Sequence, residues 1–246
     1  MKRFVRLILV FLFLACNCTS ASAIIVFSEN DYGCGWKNSY SEITTQNSFE
    51  IGTNIISFLA GNATSMTIMQ LQHSGNWEQH PDSIINLANE IFTTIGVSVS
   101  TGNAELGVTD LSNVKMLFMT GHDSFSITDL QKTILKEFID AGGLLFGDDC
   151  NNDTTDPSGF ESSFRQLVID LYGESLTVLP SDHLIFSSYH ELDGNDFTYT
   201  LKGNGTQWGV KPLEFYNPNI DNQVAPKNND GGGGCYINTL STFYSK

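Results

Sequence analysis

Basic residues are scarce in this chain: 12 Lys and Arg stand against 27 Asp and Glu, a formal net charge of −15 over 246 residues. Three of the twelve lie at the start, Lys2 and Arg3 before the apolar run FVRLILVFLFLAC and Arg6 within it, and Ala21-Ser22-Ala23 follows a few residues later. That order matches the n-region, h-region and cleavage site of a secretory signal, so residues 1–23 read as a leader and the mature chain as beginning near Ile24. Its loss leaves 9 basic residues against 27 acidic, a net charge of −18. Nucleic acid and anionic lipid are excluded as partners for such a surface, and solubility in an extracytoplasmic space accounts for the acidity. Cysteine is also sparse. Beyond the leader only Cys34, Cys150 and Cys235 remain, an odd number that leaves at least one thiol without a partner in the same chain. No later stretch is long and apolar enough to span a bilayer. G-x-G-x-x-G and H-E-x-x-H are both missing, so neither a phosphate-cradling glycine loop nor a compact metalloprotease motif is present.

What is there is an alternation of strand-type and helix-type segments. Residues 114–119 and 144–146 are near-continuous apolar runs, the pattern of strands covered on both faces. Between them Ile134, Leu135, Phe138 and Ile139 mark the buried stripe of a helix, with residues 126–129 as its capping box and Gly142-Gly143 as its end. Short strands are expected at 24–27, 67–71 and 176–179, and an edge strand at 97–99. Helices are expected at 48–59, from 81–83 to about 94, and at 160–172. Residues 28–36 and 73–77 are rich in turn formers and read as loops. Residues 24–216 thus form one α/β domain, and 217–246 a polar, Gly-rich tail.

Open α/β sheets bind ligands beyond the carboxyl ends of their strands. The ends at 28–36, 73–77, 120–124 and 148–151 should therefore converge, with Asp182 and His183 joining from a loop. The candidate ligand-binding set is Asn30, Asp31, Trp36, His73, Trp77, His122, Asp123, Asp148, Asp149, Asp182 and His183. Trp36, Trp77 and Tyr32 beside carboxylates and amides suit stacking on a sugar ring while bonding its hydroxyls. Adjacent Asp148 and Asp149, if buried, need a donor or cation to offset a raised carboxyl pKa.

Two chemical alternatives stand beside binding. Cys150 can be a nucleophile if His122 or His183 supplies the base, although two neighbouring carboxylates oppose a thiolate. Asp148, Asp149 and His122, with Asp123 and His183 nearby, offer oxygen and imidazole ligands to a divalent metal. In bland readings Asp123 is a turn residue, Asp129 starts a helix, Arg165 pairs with Asp148 or Glu161, and His80 and His190 are surface residues. The tryptophans are then ordinary packing.

The stretch MTGHDSFSITDLQKTILKEFIDAGGLLFGDDC, followed by FESSFRQLVIDLYGESLTVLPSDHLIFSSYHELDG and preceded by LQHSGNWEQHPDSIINLANEI, resembles the bacterial family called domain of unknown function 4159. That resemblance implies a flavodoxin-like, three-layer α/β sandwich with a mostly parallel sheet, of the class I glutamine amidotransferase-like kind. That superfamily often places a cysteine at a tight strand-to-helix turn, but GDDCN lacks the glycine that normally follows the nucleophile by two residues. IIVFSENDYGCGWK and FEIGTNIISFLAG, within residues 24–61, resemble the segment that normally closes the domain, while PLEFY at 212–216 resembles the piece before it. The chain therefore looks circularly permuted, and 24–27 should pair into the same parallel sheet. GGGGCYINTL faintly resembles sorting tails, without their apolar helix and basic end.

The expectation is an exported protein, periplasmic or extracellular, that binds a small polar ligand such as a carbohydrate, or a cell-envelope partner. It needs no cofactor in that reading, and catalysis by Cys150 or by a metal is the alternative. Lipoprotein anchoring through Cys16 is weaker, because Leu is expected where Phe13 stands. In an oxidising compartment Cys34 is the natural disulfide partner of Cys150.

Overall fold

The structure, a computed structural model, describes residues 23–36, 44–150, 159–192, 202–203, 206–207 and 212–218. Residues 1–22 of the leader, residues 219–246 of the tail with Cys235, and Asn151 lie outside the described residues. The elements in order are β1 (Ile24–Ser28), α1 (Tyr32–Trp36), α2 (Thr44–Ala60), β2 (Ser65–Leu71), α3 (Ser83–Ile95), β3 (Ser98–Ala104), β4 (Val114–Gly121), α4 (Asp129–Asp140), β5 (Leu144–Asp149), α5 (Gly159–Tyr172) and β6 (Thr177–Val178). A 3-10 turn at Leu184–Phe186 follows, then β7 (Lys202–Gly203), β8 (Thr206–Gln207) and β9 (Glu214–Tyr216).

Seven strands form one sheet in the order β3-β2-β4-β5-β1-β9-β6, and β7 and β8 pair separately. β3, β2, β4, β5 and β1 are mutually parallel, whereas β9 runs antiparallel to β1 and β6. Period-2 alternation divides the side chains between two faces. Ile24, Val26, Met116, Phe118, Leu144 and Phe146 pack with α1, α2 and α3 on one face. Ile25, Phe27, Leu117, Met119 and Leu145 pack with α4 and α5 on the other. The result is the expected three-layer α/β sandwich. Ile24 to Ser28 pairs in register with Leu144 to Asp148, placing β1 inside the parallel sheet as expected.

The loop reading of 28–36 is corrected. Tyr32 and Trp36 stand one helical turn apart and bury together against Phe146 and, for Trp36, Phe118. Apolar burial orders this Gly-rich segment into α1 despite its poor helix propensity. The expected strand at 97–99 is the start of a seven-residue edge strand, β3. The α4 cap also shifts: Thr128 is the N-cap and Gln131 completes the box, in place of Ser126 and Asp129. Asp129 is the first helical residue.

Candidate functional site

Because β1, β2, β4 and β5 are parallel, their carboxyl ends open on one edge of the sheet. At the β1 end the chain turns through Glu29 and Asn30 to Asp31, whose φ of +53° is left-handed for a non-glycine residue. The Asp31 carbonyl accepts from the N–H groups of Cys34 and Gly35, closing α1. β5 ends in Asp148 and Asp149, both fully buried, and the chain continues to buried Cys150. The loop after β2 supplies His80, which is 4% exposed and is not a surface residue.

These pieces meet at one ring nitrogen. His80 Nε2 lies 2.9 Å from Asp31 Oδ1 and 2.8 Å from Cys150 Sγ. One oxygen, one nitrogen and one sulfur from Asp31, His80 and Cys150 all fall within 4.8 Å of one another. Gly33 lies alongside. A Cβ there would stand 3.0 Å from His80 Cδ2, 3.0 Å from Phe118 Cζ and 3.3 Å from Asp148 Oδ2, so glycine lets α1 settle between these side chains without pushing them aside.

Asp148 Oδ2 accepts from the Gly33 N–H at 2.7 Å. Its Oδ1, like His80 Nδ1, is buried with no hydrogen-bond partner among the described residues. Burial, reinforced by the charge of Asp31, pushes the Asp148 carboxyl well above the usual carboxylate range, and the N–H groups of Gly33 and Tyr32 pull it back in part. Burial likewise pushes the Cys150 thiol up, with the carboxylates of Asp31 and Asp148 adding to the shift.

The other sequence candidates fall elsewhere. His73 is anchored at both nitrogens, Nε2 to the Thr120 carbonyl at 2.9 Å and Nδ1 to the Gly75 N–H at 3.1 Å. Asn76 Oδ1 accepts from the N–H groups of His122 and Asp123 and so fixes the turn after β4. His122 is half-buried and Asp123 exposed. Asp182 is exposed, and His183 caps the 3-10 turn through Nδ1 and packs beside Phe58 and Phe215. Neither His122 nor His183 is the histidine that meets Cys150. Trp36 is wholly buried, its Nε1 donating to the Ser48 carbonyl at 2.6 Å, so it offers no stacking face. Tyr32 is buried too, whereas Trp77 is half-buried and accepts at its carbonyl from Gln70 Nε2. Arg165 pairs with Glu161, as one expectation had it, and with Glu29 and Glu214, but not with Asp148. Cys34 and Cys150 are both buried and are not joined in a disulfide.

Sequence reasoning missed His80 because no spacing betrays it: Asp31 is 49 residues before it and Cys150 is 70 after it. The signal that could have found it is positional, since it lies in the loop leaving a parallel strand at the same edge.

Fold and centre together define a three-layer α/β protein with a buried Asp-His-Cys group at the strand ends. More particularly, the chain belongs to the family described as domain of unknown function (DUF4159), which matches residues 67–239. His80 and Cys150 lie within that span, and Asp31 lies before it. No curated protein matches the chain.

Proposed function

We propose that this is an exported binding domain of the cell envelope, an amidotransferase-like sandwich with permuted segments and without amidotransferase chemistry. Its functional centre is the buried Asp31, His80 and Cys150 group, where a small polar species is held. One observation carries this reading: Asp31 and Cys150 approach the same nitrogen of His80, while Nδ1 faces no partner among the described residues. In a nucleophile-base-acid relay the acid must hold the ring nitrogen remote from the nucleophile, fixing the tautomer that accepts the proton. Here acid and thiol compete for one nitrogen. The upward shift of the Cys150 thiol also opposes thiolate formation. The leader-like N-terminus and the acidic composition support export.

The 2.8 Å contact between His80 Nε2 and Cys150 Sγ favours a second reading, a hydrolase with Cys150 as nucleophile and His80 as base. Alkylation of the metal-free, reduced chain, mapped by mass spectrometry, separates the two. Slow labelling of Cys150 at neutral pH, unchanged in His80→Gln, is expected. Rapid neutral labelling that disappears in His80→Gln would replace the binding reading with the hydrolase.

A further inference from the structure

We infer that the Asp31, His80 and Cys150 centre is a binding site for a divalent transition-metal ion of the zinc class, held by Asp31 Oδ1, His80 Nε2 and Cys150 Sγ. The inference rests on the reading above that the centre binds rather than reacts, and names what it binds.

The donor set selects the ion. Calcium and magnesium take six or more oxygens, whereas one imidazole, one thiolate and one carboxylate suit zinc and its neighbours. The three atoms already form a tight triangle, two of its edges 2.9 and 2.8 Å long. Around a tetrahedral zinc with bonds of about 2.0–2.3 Å, such edges open to roughly 3.3–3.6 Å. Those two edges must therefore open by about 0.4–0.8 Å, within reach of side-chain rotation.

A second observation is independent of the triangle. Asp148 is wholly buried, flanks the His80 ring across Gly33, and carries an Oδ1 with no partner among the described residues. A buried carboxylate oxygen without a donor is costly and calls for an explanation, of which an ion is one. A cation held by the three ligands lies close to Asp148 and supplies the positive partner that its Oδ1 lacks among the described residues. It also changes the state of Cys150. With no ion the proton stays on sulfur; with one bound it leaves to solvent and the thiolate becomes a ligand, so binding releases a proton.

These residues differ from the set read from sequence, Asp148, Asp149 and His122. His122 is replaced by His80, and of the adjacent carboxylates Asp148 stands behind the ligands.

The test uses the full chain, expressed without a polyhistidine tag. Its zinc content is measured after dialysis, and cobalt(II) is then titrated into the metal-free protein. The expected result is about one ion per chain, a thiolate-to-cobalt charge-transfer band in the near ultraviolet, and loss of that band in Cys150→Ser but not in Cys34→Ser. Asp31→Asn and His80→Gln, which keep the thiol, should each weaken cobalt binding roughly 100-fold or more. They serve as the decisive variants if Cys150→Ser does not fold. A folded wild-type chain that takes up neither ion overturns the inference, as does affinity unchanged in both variants, or a band that follows Cys34 instead of Cys150. Rapid neutral alkylation of Cys150 would instead overturn the binding reading, so the two failures are distinguishable.

Discussion

His73 and His80 sit seven residues apart in one loop, yet their surroundings give them opposite roles. His73 spends both nitrogens on backbone groups, the Thr120 carbonyl and the Gly75 N–H, which fixes its neutral tautomer. His80 presents a single nitrogen to an acid and a thiol. Burial lowers the His73 pKa below its ordinary 6.5, and the Thr120 bond offsets this only in part. As pH falls, the unfolded chain takes up the proton first, so the contribution of neutral His73 is complete above about pH 6.5 and is lost as pH drops towards the folded value. Urea midpoints at about pH 7.5 and pH 5 should therefore fall further in the wild type than in His73→Gln, whose side chain does not titrate. Equal losses would show that His73 carries none of the acid sensitivity. This histidine was legible as a strand-end residue. Its anchoring was not, because the Thr120 carbonyl lies 47 residues away on another strand.

At the scale of elements, local chemistry and tertiary packing made different contributions. α4 begins where its own sequence can cap it: Thr128 Oγ1 accepts from the Gln131 N–H at 3.3 Å, and Gln131 Oε1 accepts from the Thr128 N–H at 3.0 Å. The cap sits two residues later than the Ser126 reading because the apolar stripe of Leu135, Phe138 and Ile139 sets which turn faces the sheet. Thr128→Ala should cost about 1 kcal/mol and increase amide exchange in the first turn of α4, with the rest of the helix unchanged. A stability change near zero would mean that solvent caps the helix equally well. α1 is the opposite case. Its YGCGW sequence has two glycines in five residues and forms a helix because Tyr32 and Trp36 are buried by strands distant in sequence. The periodic helices α2, α3, α4 and α5 were legible because an amphipathic face is a local pattern, and α1 was not because it has hardly any pattern to read.

Across the whole molecule, Arg165 joins three separate parts of the chain. It donates to Glu161 one turn before it on α5, to Glu29 after β1 and to Glu214 on β9, while its guanidinium lies 5.1 Å from the Phe27 ring centroid. Its three carboxylate partners are 6–21% exposed and would repel one another without it. Because Arg165 itself is 31% exposed, the 3–5 kcal/mol expected for breaking a fully buried pair is reduced to roughly 2–3. Arg165→Met, which keeps the apolar contact with Phe27, should lower the melting midpoint by about 4–12 °C at neutral pH. The deficit should shrink in high salt, which screens the repulsion among the three carboxylates. A deficit that does not change with salt would assign the loss to packing instead of charge. The sequence by itself determined the layered α/β class, the covered strands, the periodic helices and the sheet edge at which charged residues gather, since each follows from neighbouring residues and their period. Only the tertiary structure decided which of those residues meet. Asp31, His80 and Cys150 come from three different strand ends, and their convergence depends on strand order and on a glycine that lets a helix settle against an imidazole, neither of which leaves a local trace in the chain.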